Sequence, residues 1–118
     1  MADIEQIRVD GADYNLKDAT AKSMSKSRVT VSSSSWSASP NASGYYTNSL
    51  TLSTALDTTY APNVYLAGSA DSTFPTDAQT SAFNLLDRAE LTASTTLVLY
   101  AKAKPSSTFY VFVEGRNA

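Results

Sequence analysis

Two runs near the carboxyl terminus, residues 95–103 and 108–114, carry the most regular hydrophobic pattern of the chain. Side chains alternate between the two faces of a strand, and in both runs apolar residues occupy both sets of positions. Neither predicted strand therefore has a polar face. Apolar residues on both faces predict a central strand that is covered from two sides.

Residues 104–107 between these runs include Pro105, which favours a turn, so the two strands are predicted to pair as a hairpin. A domain of this size has few other elements that could pack against both faces of that hairpin. The second cover is either a neighbouring copy of the chain or another part of the same monomer, and both alternatives stay open here. The candidates for an oligomer interface are Val98, Tyr100, Tyr110 and Phe112.

Upstream, the pattern predicts three more strands and one helix. Apolar and polar side chains alternate over residues 28–32 and 45–52, and a further short strand closed by Gly68 is predicted over residues 63–67. The helix is predicted over about residues 76–90, because Thr76 and Gln79 have the spacing of a capping box. Its apolar stripe, at i, i+3, i+4 and i+7, consists of Ala82, Leu85, Leu86 and Ala89.

These elements together predict a mainly β fold. We expect a small antiparallel β-sandwich-like domain with one covering α-helix, preceded by a short extended anchor segment. The anchor segment and a Ser- and Lys-rich linker take up residues 1–27, and the β-rich domain takes up residues 28–118. The anchor segment contains a predicted hairpin turning at Asp10-Gly11, and since two strands alone are marginally stable, it is expected to pack on another surface.

Composition excludes several classes of function. The 118 residues include no cysteine and no histidine, which removes thiolate and imidazole metal ligands, cysteine nucleophiles and the Ser-His-Asp triad. A net charge of −2 with scattered basic residues argues against a nucleic-acid partner. The amino terminus lacks a signal-peptide pattern, and no run approaches the roughly 20 apolar residues of a membrane span. We therefore expect a leaderless chain that does not insert into membranes.

Two acidic pairs are candidates for chemistry, and each has a simpler explanation. Asp71 and Asp77 offer oxygen ligands for calcium, but their spacing matches no EF-hand and Asp77 suits a helix start. Asp87 and Glu90 are a candidate carboxylate pair for glycoside hydrolysis, yet on the predicted helix they share one solvated face. The four glycines are isolated, so no phosphate loop exists. The sequence predicts a non-enzymatic protein without metal or cofactor.

Exposed aromatic side chains are candidates for sugar binding. Tyrosine and tryptophan rings form stacking platforms at many binding surfaces. The same residues also serve as ordinary packing residues of strands, and a single tryptophan beside a strand is often a core anchor. The candidate glycan contacts are Trp36, Tyr45 and Tyr60.

The amino-terminal segment resembles that of many small bacteriophage virion proteins. In those proteins a short strand and a turn precede Tyr-x-Leu or Tyr-x-Ile and then Lys-Asp-Ala-Thr-Ala with a basic residue; here the motif is Tyr14-Asn15-Leu16 followed by Lys17-Asp18-Ala19-Thr20-Ala21-Lys22. The proteins concerned are head-fibre, tail and baseplate components of phages that infect Gram-positive and gut bacteria. The remainder of the chain is similar in pattern to the small β domain that ends such proteins.

The resemblance implies a virion location and separate roles for the amino-terminal segment and the β domain. The amino-terminal segment would dock on other phage virion proteins, through the candidate anchoring residues Ile4, Ile7, Val9, Tyr14, Leu16 and Asp18. The β domain would form a homotrimer and project outward, where many copies could bind a host cell-surface glycan through avidity. The family's long shaft has no counterpart here, which favours a compact appendage. A free carbohydrate-binding module without a virion role is the alternative hypothesis.

Overall fold

The computed structural model describes residues 23–118. These residues form two three-stranded antiparallel sheets and one short helix, which confirms the mainly β fold. The elements in chain order are β1 (Met24–Val31), β2 (Tyr46–Thr51), β3 (Asn63–Ala67), α1 (Asp77–Phe83), β4 (Leu86–Ala93), β5 (Thr96–Ala101) and β6 (Phe109–Arg116). The following predictions lie outside the described residues: the turn at Asp10-Gly11 and the anchoring residues Ile4, Ile7, Val9, Tyr14, Leu16 and Asp18.

The two strands without a polar face are both central strands, as predicted, but they do not form a hairpin. One sheet has the order β1-β6-β3 and the other the order β2-β5-β4, so β5 and β6 belong to different sheets. The connection between them crosses from sheet to sheet, with Pro105 fully buried. Each strand already has two neighbours in its own sheet, and alternation along a strand does not identify those neighbours.

The core lies between the two sheets. The inward side chains of β5, Leu97 and Leu99, are fully buried together with those of β6, Phe109 and Val111. On α1, Phe83 packs edge to face against Phe109, with ring centroids 6.1 Å apart. The inner faces of both central strands are thus covered within one chain, and only their outer faces are left for other contacts.

The helix is shorter than predicted. The capping box of Thr76 and Gln79 is present as expected, but α1 ends at Phe83 and the following residues form β4. A register shift between Leu86 and Arg88 gives β4 one extra residue, so Leu86 and Ala89 both point toward the core, opposite Ala101 and Leu99 of β5. Inward residues three apart imitate a helical stripe, which explains the wrong prediction for residues 84–90.

Strand β1 begins earlier than predicted. Residues 24–27, which composition assigned to a linker, pair with residues 113–116 of β6. A central strand has backbone donors and acceptors on both sides, and this pairing satisfies those on one side regardless of the Ser and Lys side chains. Within the described residues, regular structure therefore begins at Met24, the first residue of β1.

The strands define two ends of the domain. At one end, called the base, the Asn117 amide donates to the Ser23 carbonyl at 2.9 Å, and Leu56 forms an isolated bridge with Asn117. The turn at residues 94–95 also lies at the base, since the Leu56 amide donates to the Ser94 carbonyl at 2.8 Å. The opposite end, called the tip, carries the connections that follow β1, β3 and β5.

Candidate functional site

The outer face of the β1-β6-β3 sheet is centred on Phe112. Its ring lies 5.5 Å from the ring of Tyr65 on β3, centroid to centroid. Two cations from β1 cover the same ring, with Lys26 Nζ at 4.7 Å and Arg28 Cζ at 4.9 Å from its centroid. This outer face is therefore aromatic and half-buried, with its remaining cover provided by long basic side chains.

Arg28 also connects this face to the tip. Its Nε donates to the Gly68 carbonyl at 3.0 Å, and its guanidinium forms an ion pair with Asp71. The hydrogen bond and charge of Arg28 hold the pKa of the Asp71 carboxyl below its usual value. Asp71, considered as a calcium ligand above, thus has a cation as its partner.

The outer face of the β2-β5-β4 sheet carries a tyrosine–arginine cluster, which we define as Tyr45, Asp87, Arg88, Glu90, Tyr100 and Lys102. Tyr45 and Tyr100 meet edge to face with ring centroids 5.9 Å apart. The Arg88 guanidinium carbon lies 4.7 Å from the Tyr100 ring centroid and 5.3 Å from that of Tyr45. Lys102 Nζ lies 5.9 Å from the Tyr45 ring centroid. Two rings and two cations therefore share one exposed surface.

Both phenol hydroxyls of the cluster donate to carboxylates. Tyr45 donates to Asp87 Oδ2 and Tyr100 to Glu90 Oε1, each at 2.8 Å. These hydrogen bonds are the main reason why the pKa of both tyrosines is raised, with desolvation and repulsion from the carboxylate adding to it and Arg88 opposing it. The phenols therefore stay protonated as donors, and each bond holds its carboxylate in one orientation.

Local sequence explains how the cluster is built. Gly44 has a positive φ of 85°, which a residue without Cβ adopts readily, and it closes the turn that leads into β2. The Asn41 side chain accepts from the Tyr45 amide at 3.0 Å, which holds Tyr45 immediately before β2. On β4, Asp87 falls in the register shift, so that Asp87 and Arg88 lie side by side at the tip half of the strand.

An open groove of about 350 Å³ lies beside the cluster, between β4 and the loop before β3. Tyr60 forms one wall; its side chain is 52% exposed and Arg116 Cζ lies 4.8 Å from its ring centroid. Glu90 and Thr92 of β4 line the opposite wall. Glu90 therefore belongs both to the groove and to the tyrosine–arginine cluster.

The structure separates the three candidate glycan contacts. Tyr45 and Tyr60 are at the surface, whereas Trp36 is only 6% exposed and belongs to the core. Trp36 is therefore corrected from a glycan contact to the core anchor that the sequence offered as the alternative. Its large ring is covered by the packed sheets and presents no face to a ligand.

The four candidates for an oligomer interface lie on two surfaces. Val98 and Tyr100 are on the outer face of the β2-β5-β4 sheet, and Tyr110 and Phe112 are on the outer face of the other sheet. They do not share one face, because β5 and β6 do not form the predicted hairpin. Their role in association stays a prediction.

Sequence reasoning missed Arg88, the centre of the cluster. The predicted helix put Asp87 and Glu90 on a solvated face and gave Arg88 no role, whereas all three residues lie on strand β4. Strands β4 and β5 pair as a hairpin through the turn at residues 94–95, and this hairpin was not predicted because residues up to 90 had been assigned to the helix. The acidic residues on either side of Arg88 were the available signal, because a strand brings such neighbours beside the next strand's aromatic side chains.

Residues 23–118 contain no group of three or more Asp and Glu side chains arranged to hold a metal ion. The same part of the chain has no helix with the length and apolar character of a membrane span. No family model, no curated protein and no solved structure is significantly similar to the chain.

Proposed function

We propose that this chain is a non-enzymatic structural protein of a bacteriophage virion, a compact appendage of the head, tail or baseplate. Residues 1–22 anchor it to other virion proteins, and the β domain projects from the particle toward the host surface. The proposal draws on the amino-terminal resemblance, in particular Tyr14 and the run from Lys17 to Lys22.

The observation that carries this proposal is the polarity of the domain. The Ser23–Asn117 contact lies at the base, so the anchor segment joins the domain there. The tip, which holds the two longest connections, residues 32–45 and 68–85, lies at the far end of the strands. An anchored domain with this geometry would direct its tip away from the attachment point.

We further propose that the domain forms a homotrimer through the outer face of the β1-β6-β3 sheet. Tyr65, Tyr110 and Phe112 give that face three half-buried aromatic side chains. Aromatic residues are enriched in the buried centres of protein interfaces. The outer face of the other sheet carries Thr and Ser on β2 and charged residues on β4, and it would stay exposed.

Deletion of residues 1–22 tests the proposal without cutting into β1. The full-length chain and the deletion variant would be expressed during phage production, and purified particles would be probed by immunoblot and immunogold microscopy. We expect the full-length chain on particles and the folded deletion variant only in the soluble fraction. Equal incorporation of both chains would contradict anchoring by this segment.

The exposed ring of Tyr60 and the half-buried ring of Tyr45 favour a second candidate, a free carbohydrate-binding module. The same experiment separates the two. A free module would be absent from particles in both forms and would bind its ligand equally well with and without residues 1–22.

A further inference from the structure

Glu90 joins two surface features that lie along β4. Its carboxylate accepts from Tyr100 in the tyrosine–arginine cluster and also lines the groove of Tyr60. A smaller groove of about 130 Å³ opens at the other end of the strand, beside Asp87 and Arg88. From Asp87 to Thr92 the strand extends about 16 Å, at roughly 3.3 Å per residue. The surface is therefore an elongated track with a tyrosine near each end.

The track offers the hydrogen-bonding groups that a polyhydroxylated ligand needs. Each carboxylate, of Asp87 and Glu90, accepts one phenol proton and keeps lone pairs for further donors. Within residues 23–118 Arg88 forms no salt bridge, so its guanidinium N–H groups can donate outward. The bonds from Tyr45 and Tyr100 hold the acceptors in place before a ligand arrives, which lowers the entropy cost of binding.

The charges and the ring walls indicate what kind of ligand would fit. The cluster holds two cations, Arg88 and Lys102, and two carboxylates, Asp87 and Glu90, so it has no net charge to attract a polyanion. Tyr60, with half of its surface exposed, can stack against the apolar face of a sugar ring. This combination suits a neutral carbohydrate chain.

A peptide strand added to the edge of the sheet is the competing occupant, because β4 is an edge strand. Register shifts at Leu86/Arg88 and Leu91/Ala93 interrupt the row of backbone donors and acceptors at both ends of β4. Charged side chains on the edge also oppose strand addition. The side chains, rather than the backbone of β4, are therefore the available binding groups.

We propose that a neutral carbohydrate chain binds along β4, from the Tyr45 and Arg88 end to the groove of Tyr60, with Glu90 as the shared acceptor. This inference deepens the proposed function and rests on its host-facing part. Individual affinities are expected near a Kd of about 1 mM, and many copies on one particle would strengthen them through avidity.

The test is a titration of the ¹⁵N-labelled full-length chain, followed by NMR, with three probes: cellotetraose, maltotetraose and the tetramer of N-acetylglucosamine. We expect at least one probe to shift the amide signals of Tyr45, Arg88, Glu90 and Tyr60 together. Tyr60→Ala and Arg88→Ala should each weaken that binding by about tenfold. Phe74→Ala is the matched control, since Phe74 is 91% exposed and lies off the track.

Tyr45→Phe tests the hydroxyl of Tyr45 separately from its ring, because the variant keeps the ring and removes the donor to Asp87. We expect a several-fold loss of affinity with unchanged circular dichroism. No shift with any probe, shifts confined to other residues, or binding of an extended peptide to the β4 amides in place of sugar would overturn the proposal. Since the purified chain is used, such a failure is distinct from a failure of particle incorporation, which the deletion of residues 1–22 measures.

Discussion

The hydroxyl of Tyr100 on β5 donates to the carboxylate of Glu90 on β4 at 2.8 Å, although the residue opposite Glu90 in the ladder is Val98. The bond is therefore a diagonal contact between neighbouring strands, two residues removed from the direct partner. It brings a long aromatic donor and a long acidic acceptor together at an exposed position.

The hydrogen bonds that Tyr45 and Tyr100 donate to carboxylates predict that both phenols ionise at a higher pH than ordinary tyrosines. Only the protonated phenol can donate these hydrogen bonds. Because the pKa of Tyr45 and that of Tyr100 are raised, both bonds are fully present below pH 10.0, the ordinary pKa of tyrosine, and are lost as the pH rises through the raised pKa. Absorbance titration of tyrosinate should show that Tyr45→Phe and Tyr100→Phe each remove part of the change at the highest pH. If the titration curves of the wild type and of both variants coincide at high pH, the two hydrogen bonds are contradicted.

The ion pair between Arg28 and Asp71 predicts the opposite pH dependence, because its contribution to stability is lost at low pH. The pKa of Asp71 is lowered by Arg28, so the pair stabilises the fold above the ordinary carboxyl value of 3.8 and is lost as the pH falls through the lowered one. In a carboxyl ¹³C NMR titration, Arg28→Met should return the pKa of Asp71 toward its ordinary value, while the methionine stem still covers Phe112. An unchanged Asp71 titration would show that Arg28 is not its partner in solution.

The core should depend strongly on Phe109. This side chain is fully buried and packs against Phe83, so Phe109→Ala is expected to lower the free energy of unfolding by about 3–5 kcal/mol. Phe74→Ala, at a 91% exposed site, should change it by no more than about 0.5 kcal/mol. Urea unfolding measures both, and equal effects would refute the two-sheet core.

Two glycines should respond to alanine for different reasons. A Cβ on Gly68 would lie 2.1 Å from the Thr73 carbonyl oxygen, so backbone must move, at a cost of about 1–3 kcal/mol. Gly68→Ala should also raise the pKa of Asp71, since the Gly68 carbonyl accepts from Arg28. Gly44→Ala meets open space and only incurs the strain of a positive φ, roughly 1 kcal/mol, with no effect on Asp71. Urea unfolding and NMR together distinguish the pair.

The two outer faces should differ in association. If the outer face of the β1-β6-β3 sheet forms the homotrimer, Phe112→Ser reduces the mass measured by light scattering to that of a monomer, about 12.6 kDa. Val98→Ser, at a half-buried position on the other sheet, should leave the mass unchanged. A monomeric wild-type chain, or dissociation only by Val98→Ser, would refute the assigned interface.

Features that depend on neighbours in sequence could be predicted correctly. Alternation identified β2, a short apolar run ending at Gly68 identified β3, the capping box identified the start of α1, and apolar residues on both faces identified β5 and β6 as central strands. Each of these signals spans only a few consecutive residues, so it does not depend on contacts with distant parts of the chain. The mainly β class followed from the same local signals.

Pairing partners and the candidate site were decided only by tertiary structure. Leu86 and Ala89 have a spacing that fits either a helix or a bulged strand, and the pairing of β4 with β5 selects the strand. That pairing also places Arg88 over Tyr100 and Glu90 beside the groove of Tyr60. The sequence alone determined which segments are apolar and how they alternate; contacts between distant segments determined which faces meet, because side-chain period constrains a strand's faces but leaves its partner free.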